Sequence, residues 1–147
     1  MTHNKYVVLG RLMANIGRLH STKANYFMDQ IGLYRGQAIL MMTLSEQDGL
    51  THSYIAEKLQ ISPAAVTKVI KRLEEENYIR RRPDERDERI SRVYLQEKGR
   101  AAIDEIHRSF CALDNKMFEG LSEEELDELH KVLLHVQANL HQCRPSL

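Results

Sequence analysis

The chain has 147 residues, of which 42% are apolar and 29% charged, with 7 glycines and 3 prolines; this is the composition of one soluble globular domain and excludes a disordered chain. No run approaches the about 18 apolar residues of a membrane span, Met1–Leu9 lacks the layout of a signal peptide, and two cysteines, Cys111 and Cys143, are too few for a disulfide scaffold. A cytoplasmic protein with reduced thiols and no membrane partner is expected. The net charge is zero, but residues 1–95 carry 15 basic and 11 acidic side chains and residues 96–147 carry 6 and 10, so the front of the chain can attract a polyanion.

Helical periodicity starts the chain, from about Lys5 to Ile31, through Leu9, Leu12, Met13, Ile16, Leu19, Tyr26 and Phe27, with Gly32 as its stop. A second helix is expected from about Tyr34 to Gln47. Thr51 then caps a short helix holding Ile55, Ala56 and Leu59. Ser62 caps the next, with Pro63 at its first position, where the missing N–H is harmless. That helix carries Val66, Val69, Ile70 and Leu73 on one face, and Asn77 follows its end as a residue tolerant of the left-handed conformation.

The period then changes. Ile79–Arg82 and Ile90–Leu95 read as two short strands around a charged tip, Pro83–Arg89. Two helices close the chain, with stripes Ile103, Ile106, Phe110, Leu113, Met117 and Leu126, Leu129, Leu133, Val136, Leu140. Both stripes step by three and four, as in helices packed along other helices, and Ser122 with Glu125 forms a capping box.

Residues 51–74 therefore form a helix-turn-helix. Its second helix exposes Ser62, Ala64, Ala65, Thr67, Lys68, Lys71 and Arg72 opposite its buried valines. Small side chains at the start of a helix let the backbone approach base edges in a major groove, and Ala or Thr methyls can touch a thymine methyl. Lys71, Arg72 and, on the following strand, Arg81 suit phosphates; the helix N-terminus is itself a phosphate site, which brings Thr51 and Ser62 into the set. The hairpin 79–95 completes a wing. Arg86 at its tip is placed to enter the adjacent minor groove, where narrow A·T tracts concentrate negative potential. Arg89 joins the DNA-facing set, although Asp87 lies within its reach and the two can brace the loop.

The stretch 50–99 resembles the MarR family of bacterial transcription regulators. The residues that carry the resemblance are Leu50-Thr51, Ile55-Ala56-Glu57-Lys58-Leu59, Ser62, Val66-Thr67, Leu73-Glu74, Ile79, Arg81, Asp84-x-Arg86-Asp87-x-Arg89 and Leu95-x-x-Lys98-Gly99. The layout of the flanking helices fits as well. Where the family often has Gly and Thr this chain has Asn77 and Gln96, and Gln is the poorer helix cap. The resemblance implies a mainly α (α+β) fold, a winged helix-turn-helix over 34–99 within a single domain, with dimerisation helices at 5–31 and 100–142. It further implies a homodimer that binds a pseudo-palindromic double-stranded operator, acts as a repressor and is released by a small aromatic effector. Met13, Ile16, His20, Met41 and Met42 are the candidate effector pocket, because methionines adapt to irregular ligands; core filling is the plainer reading of the same residues. The competing function is a winged helix that docks a protein and does not bind DNA. Glu74-Glu75-Glu76 favours it, since three carboxylates beside the reading helix would repel phosphate.

No enzyme, cofactor or metal is expected. There is no glycine-rich phosphate loop and no nucleophile-histidine-acid order with supporting turns. His107 and Cys111 share a helix face without a third donor, and Cys111 reads more simply as a buried thiol. Zinc-sensing relatives place a Glu-His pair early in the second helix, where this chain has Gln37-Ala38. Peroxide-sensing relatives carry a cysteine in the first helix, and this chain has none there.

Overall fold

The computed structural model describes residues 4–144; Met1–His3, part of the segment read for a leader, and Pro145–Leu147 lie outside the described residues. In chain order the elements are α1 (Lys5–Asp29), α2 (Arg35–Glu46), β1 (Leu50–Thr51), α3 (His52–Leu59), α4 (Pro63–Glu75), β2 (Ile79–Pro83), β3 (Ser91–Leu95), α5 (Glu97–Met117) and α6 (Glu123–Gln142). The backbone groups into two compact units, residues 1–113 and 114–147.

In the first unit the three strands form an antiparallel sheet in the order β1-β3-β2, with Leu50 opposite Val93, Ile79 opposite Leu95 and Arg81 opposite Val93. Only one face of this small sheet is apolar. Its buried Leu50, Ile79, Val93 and Leu95 close over Ile55 of α3, Val66, Ile70 and Leu73 of α4, and Leu40, Met41 and Leu44 of α2. Ile106 of α5 belongs to the same core and is fully buried, with Ile103 and Phe110 packed beside it. The α5 stripe is thus largely packed within its own chain. Cys111 points the other way and is exposed, like His107 beside it; the reading of Cys111 as a buried thiol is corrected, because the core-facing positions of this turn are taken by Phe110 and Leu113.

Three helices end alike. Gly32, Gln60 and Asn77 adopt left-handed backbone, with φ of 74°, 53° and 63°. Beyond each, the next N–H reaches five residues back: Leu33 to the Met28 carbonyl, Ile61 to Ala56 and Tyr78 to Leu73. This closure satisfies carbonyls that the helix end leaves open. At Gln60 it turns α3 sharply into α4.

The expected caps are present. Thr51 Oγ1 accepts from the Tyr54 N–H, and Ser62 Oγ accepts from the Ala65 N–H at 3.1 Å, with Pro63 opening α4. Gln96 takes on a different task from capping: its Nε2 donates to the Ile79 carbonyl and its backbone N–H to the Tyr78 carbonyl. The Lys98-Gly99 pair finds its reason here too. Lys98 Nζ lies 4.2 Å from the centre of the Tyr78 ring and donates to the Glu76 carbonyl. Gly99 is buried so closely that a Cβ would stand 2.3 Å from the Tyr78 carbonyl oxygen.

Large apolar side chains stand exposed along α1: Leu9, Leu12, Met13, Ile16 and Leu19 are each between 41% and 56% open. In the second unit α6 starts with the capping box of Ser122 and Glu125. It contains no fully buried residue, and Val132, Leu133, Leu134 and Leu140 are exposed. Among the described residues no helix is long and apolar enough to cross a membrane, and no three metal-ligating side chains come together.

Candidate nucleic-acid interface

Helix α4 is amphipathic in the sense a reader helix requires. Val66, Ile70 and Leu73 are buried, while Ser62, Ala64, Thr67, Lys68, Lys71 and Arg72 are exposed on the other side. Ala65 sits at the margin, half-buried. Thr67 Oγ1 donates to the Pro63 carbonyl at 3.0 Å, so its hydroxyl proton is used within the helix, although the residue is exposed. Lys71 lies 3.9 Å from Glu75 one turn on, an exposed pairing that constrains it little. Arg72 is held differently. Its guanidinium carbon lies 4.5 Å from the centre of the Tyr34 ring, just before α2, a cation–π arrangement that favours a defined direction for a long side chain.

Thr51 is half-buried, its hydroxyl engaged as the α3 cap and its backbone paired with Arg92. Arg81 is also occupied: its guanidinium forks onto the Glu74 carboxylate, with Nη2–Oε1 at 2.7 Å. That pairing, together with a hydrogen bond from the Arg81 backbone N–H, holds the Glu74 carboxyl below its ordinary range. His52, beside the pair, has its pKa lowered, first by burial and next by the Arg81 charge.

Two aspartates of the wing build its tip. Asp84 Oδ1 accepts from the backbone N–H groups of Arg86 and Asp87, and Oδ2 accepts from Arg92 Nε. The arginine, followed by the two N–H donors, lowers the Asp84 pKa to about 2. Asp87 repeats the device one step on, accepting from the Arg89 N–H and pairing with its guanidinium at 3.0 and 3.1 Å. Two short backbone bonds, Asp84 N–H to the Ile90 carbonyl and Ile90 N–H to the Asp87 carbonyl, complete the loop. Ile90, expected to open the second strand, is therefore part of the turn and is exposed. Arg86 is the exception at the tip: its side chain is exposed and makes no ion pair among the described residues.

The candidate effector residues do not form one open lining. Met41 is fully buried in the core and Met42 packs against it, whereas Met13 and Ile16 are exposed on α1 and His20 is half-buried. Sequence reasoning also passed over Tyr34, Glu74 as a partner of Arg81, and Arg92. Their pairings cross element boundaries, so no helical or strand spacing signals them.

A two-helix turn with a capped, outward-facing second helix and a hairpin wing defines this protein as a winged helix-turn-helix. Residues 33–91 match the model of the MarR family. The chain is 29% identical to the HTH-type transcriptional repressor MdtR of Bacillus subtilis, over 79% of this chain and 72% of MdtR. Among solved structures it resembles the transcriptional regulator SlyA, with 28% identity, a TM-score of 0.80 and coverage of 91% and 94% of the two chains. It is equally close in fold to the Staphylococcus aureus MepR of a MepR–DNA complex, at 25% identity, TM-score 0.80 and coverage of 88% and 96%.

Proposed function

We propose that this chain is a sequence-specific double-stranded DNA-binding regulator that acts as a homodimer on a pseudo-palindromic operator. The observation that carries the reading is the division of charge on the α4–wing surface. Asp84, Asp87 and Glu74 are each engaged by an arginine and Glu75 lies beside Lys71; of the charges without an ion-pair partner among the described residues, the cations Lys68, Arg72, Arg80, Arg82 and Arg86 outnumber the carboxylates Glu76, Glu85 and Glu88. Such a surface attracts a polyanion although the chain as a whole is neutral.

In this reading Ala64, Ala65 and Thr67 approach bases, with Lys68 reaching a base edge and Ser62 at the N-terminus of α4. Lys71 and Arg72 hold phosphates, and Arg86 enters the flanking minor groove. Thr51 and Arg81 are engaged within the chain, while Arg89, paired with Asp87 yet largely exposed, stays in the DNA-facing set and braces the loop. The rival protein-docking reading rests on Glu74-Glu75-Glu76; with Glu74 paired to Arg81 and Lys71 beside Glu75, only Glu76 of the three is left without an ion pair among the described residues, which weakens it.

The exposed apolar stripe of α1 supports dimerisation, because a row of leucines in water is costly unless a second surface covers it. Two-fold symmetry then sets half-site centres about 10–10.5 bp apart or a multiple of it. The repressor role follows MdtR by likeness. Release by a small aromatic effector is part of the same proposal, with Met13, Ile16 and His20 as the accessible candidates and Met42 behind them.

Selection of bound fragments from the organism's own genome, including the DNA upstream of this gene, tests the proposal. Enrichment of an inverted repeat supports it. Equal retention of all fragments, or of none, refutes sequence-specific binding.

A further inference from the structure

Glu74 lies in the last turns of α4 and Arg81 in the middle of β2, yet the two side chains meet in a fork. Arg81 Nη2 donates to Oε1 at 2.7 Å, Nε donates to both carboxylate oxygens at 3.1 Å, and the Arg81 backbone N–H donates to Oε2 at 3.1 Å. Strand alternation explains why Arg81 is the arginine chosen. It shares a face with buried Ile79, whereas Arg80 and Arg82 fall on the other face. A planar guanidinium on one carboxylate, reinforced by a main-chain donor, fixes direction as well as distance. The contact ties the helix of the candidate interface to the strand that leads out to the wing tip. His52, at the start of α3, lies beside it with Nε2 buried and without a hydrogen-bond partner, so no competing donor or acceptor from that side claims the fork.

We propose that Glu74 is a positioning residue for DNA recognition: acting through Arg81, it sets the wing at the angle to α4 that lets Arg86 reach the minor groove flanking the bases α4 reads. The inference rests on the DNA-binding reading above. It explains a carboxylate that would otherwise only repel phosphate at the edge of the interface. It also reassigns Arg81, whose guanidinium is committed to Glu74, from a phosphate contact to a strut.

The test uses the full chain and duplexes selected by it from a random-sequence pool, each remade with A·T or G·C flanks under the wings. Glu74→Ala lowers the preference for A·T flanks about tenfold, the loss of one charge-assisted fork, and leaves discrimination at the central base pairs unchanged. Arg81→Ala does the same, and the double variant loses no more than either single one. Glu74→Gln, which keeps the volume and one acceptor oxygen, falls between Glu74→Ala and the wild type; it reports even if the alanine variant fails to fold. Amide exchange at Arg81 quickens in both Glu74 variants while that of Ile70 does not. An undiminished flank preference in Glu74→Ala and Glu74→Gln overturns the proposal. So does an Arg81→Ala variant that alone weakens all duplexes alike and lowers the salt slope by about one, since Arg81 would then hold a phosphate itself. A wild-type chain that selects no sequence refutes the DNA-binding reading as a whole.

Discussion

Asp84, just past the end of β2, and Arg92 of β3 close the wing: the carboxylate takes the guanidinium on one oxygen and two backbone N–H groups of the tip on the other. Arg92 also donates to the Gly49 carbonyl at 2.8 Å. A single ion pair therefore links the wing tip to the turn that precedes the helix-turn-helix.

Acid should open this closure in a defined window. The Asp84 carboxyl is held at about 2 against 3.8 when free, so the ionised form is favoured in the fold. Its stabilisation is complete above the free value and is lost as the pH falls through about 2. The protection of the Arg86 and Asp87 amides, taken relative to the intrinsic exchange rate at each pH, should hold down to about pH 4 and fall below it. Asp84→Asn should show the lowered protection already at neutral pH. Equal exchange in the variant and the wild type at pH 7 would show that the tip is held by its backbone bonds alone.

Gly99→Ala should destabilise the protein by about 1–3 kcal/mol, the range for overpacking a closed site. The added Cβ meets the Tyr78 carbonyl oxygen and, at 2.8 Å, Leu95 Cδ2, and the carbonyl is main chain that cannot swing aside. Urea unfolding followed by circular dichroism measures it. Ala101, exposed on the same helix, is the control: Ala101→Ser should change stability by less than about 0.5 kcal/mol.

Leu12→Glu combined with Leu19→Glu should yield a folded monomer. Both leucines are more than half exposed in the single chain, so charges there disturb nothing within it, but they would be buried unpaired in a dimer seam. Sedimentation of the variant and the wild type at micromolar concentration decides the matter. Identical sedimentation of the two removes α1 from the interface. By contrast Ile106, fully buried within its own chain, should unfold the protein when charged and so says nothing about assembly.

Phosphate and base contacts should separate in salt titrations. Lys71→Ala should weaken binding to an operator and to a scrambled duplex alike and lower the salt slope by about one. Ala65→Gln should change which operator is preferred, at about 1–3 kcal/mol for each disturbed base pair. Arg86→Ala should lose most on operators with A·T-rich flanks. If Ala65→Gln shifts both duplexes equally, α4 is not the reader.

What the sequence disclosed and what it withheld divide along a physical line. Caps, periodicity and turn residues act over a few positions, so the helices, the Thr51 and Ser62 caps and the left-handed Asn77 could be read from spacing. Gln60 could not, because it adopts a left-handed backbone that costs a residue with a side chain about 1–2 kcal/mol; its reason is the tertiary turn between α3 and α4. The two-residue strand β1 is too short to leave a pattern. The Lys98-Gly99 motif was visible as a motif, but its cause, the Tyr78 ring and carbonyl, is supplied by a residue some twenty positions earlier. For the candidate interface the residue types were legible and their engagements were not. Arg81 and Arg86 look interchangeable in the sequence, yet one is clasped by Glu74 and the other stands free of any ion pair among the described residues.

The wing loop is folded by Asp84, Asp87, Arg89 and Arg92, none of which needs the Arg86 side chain, since only the Arg86 main chain enters the network. On the proposed DNA-binding reading, a substitution at this position would change affinity for DNA while leaving the loop's own hydrogen bonds and ion pairs in place. Substitutions at the neighbouring aspartates would disturb both at once.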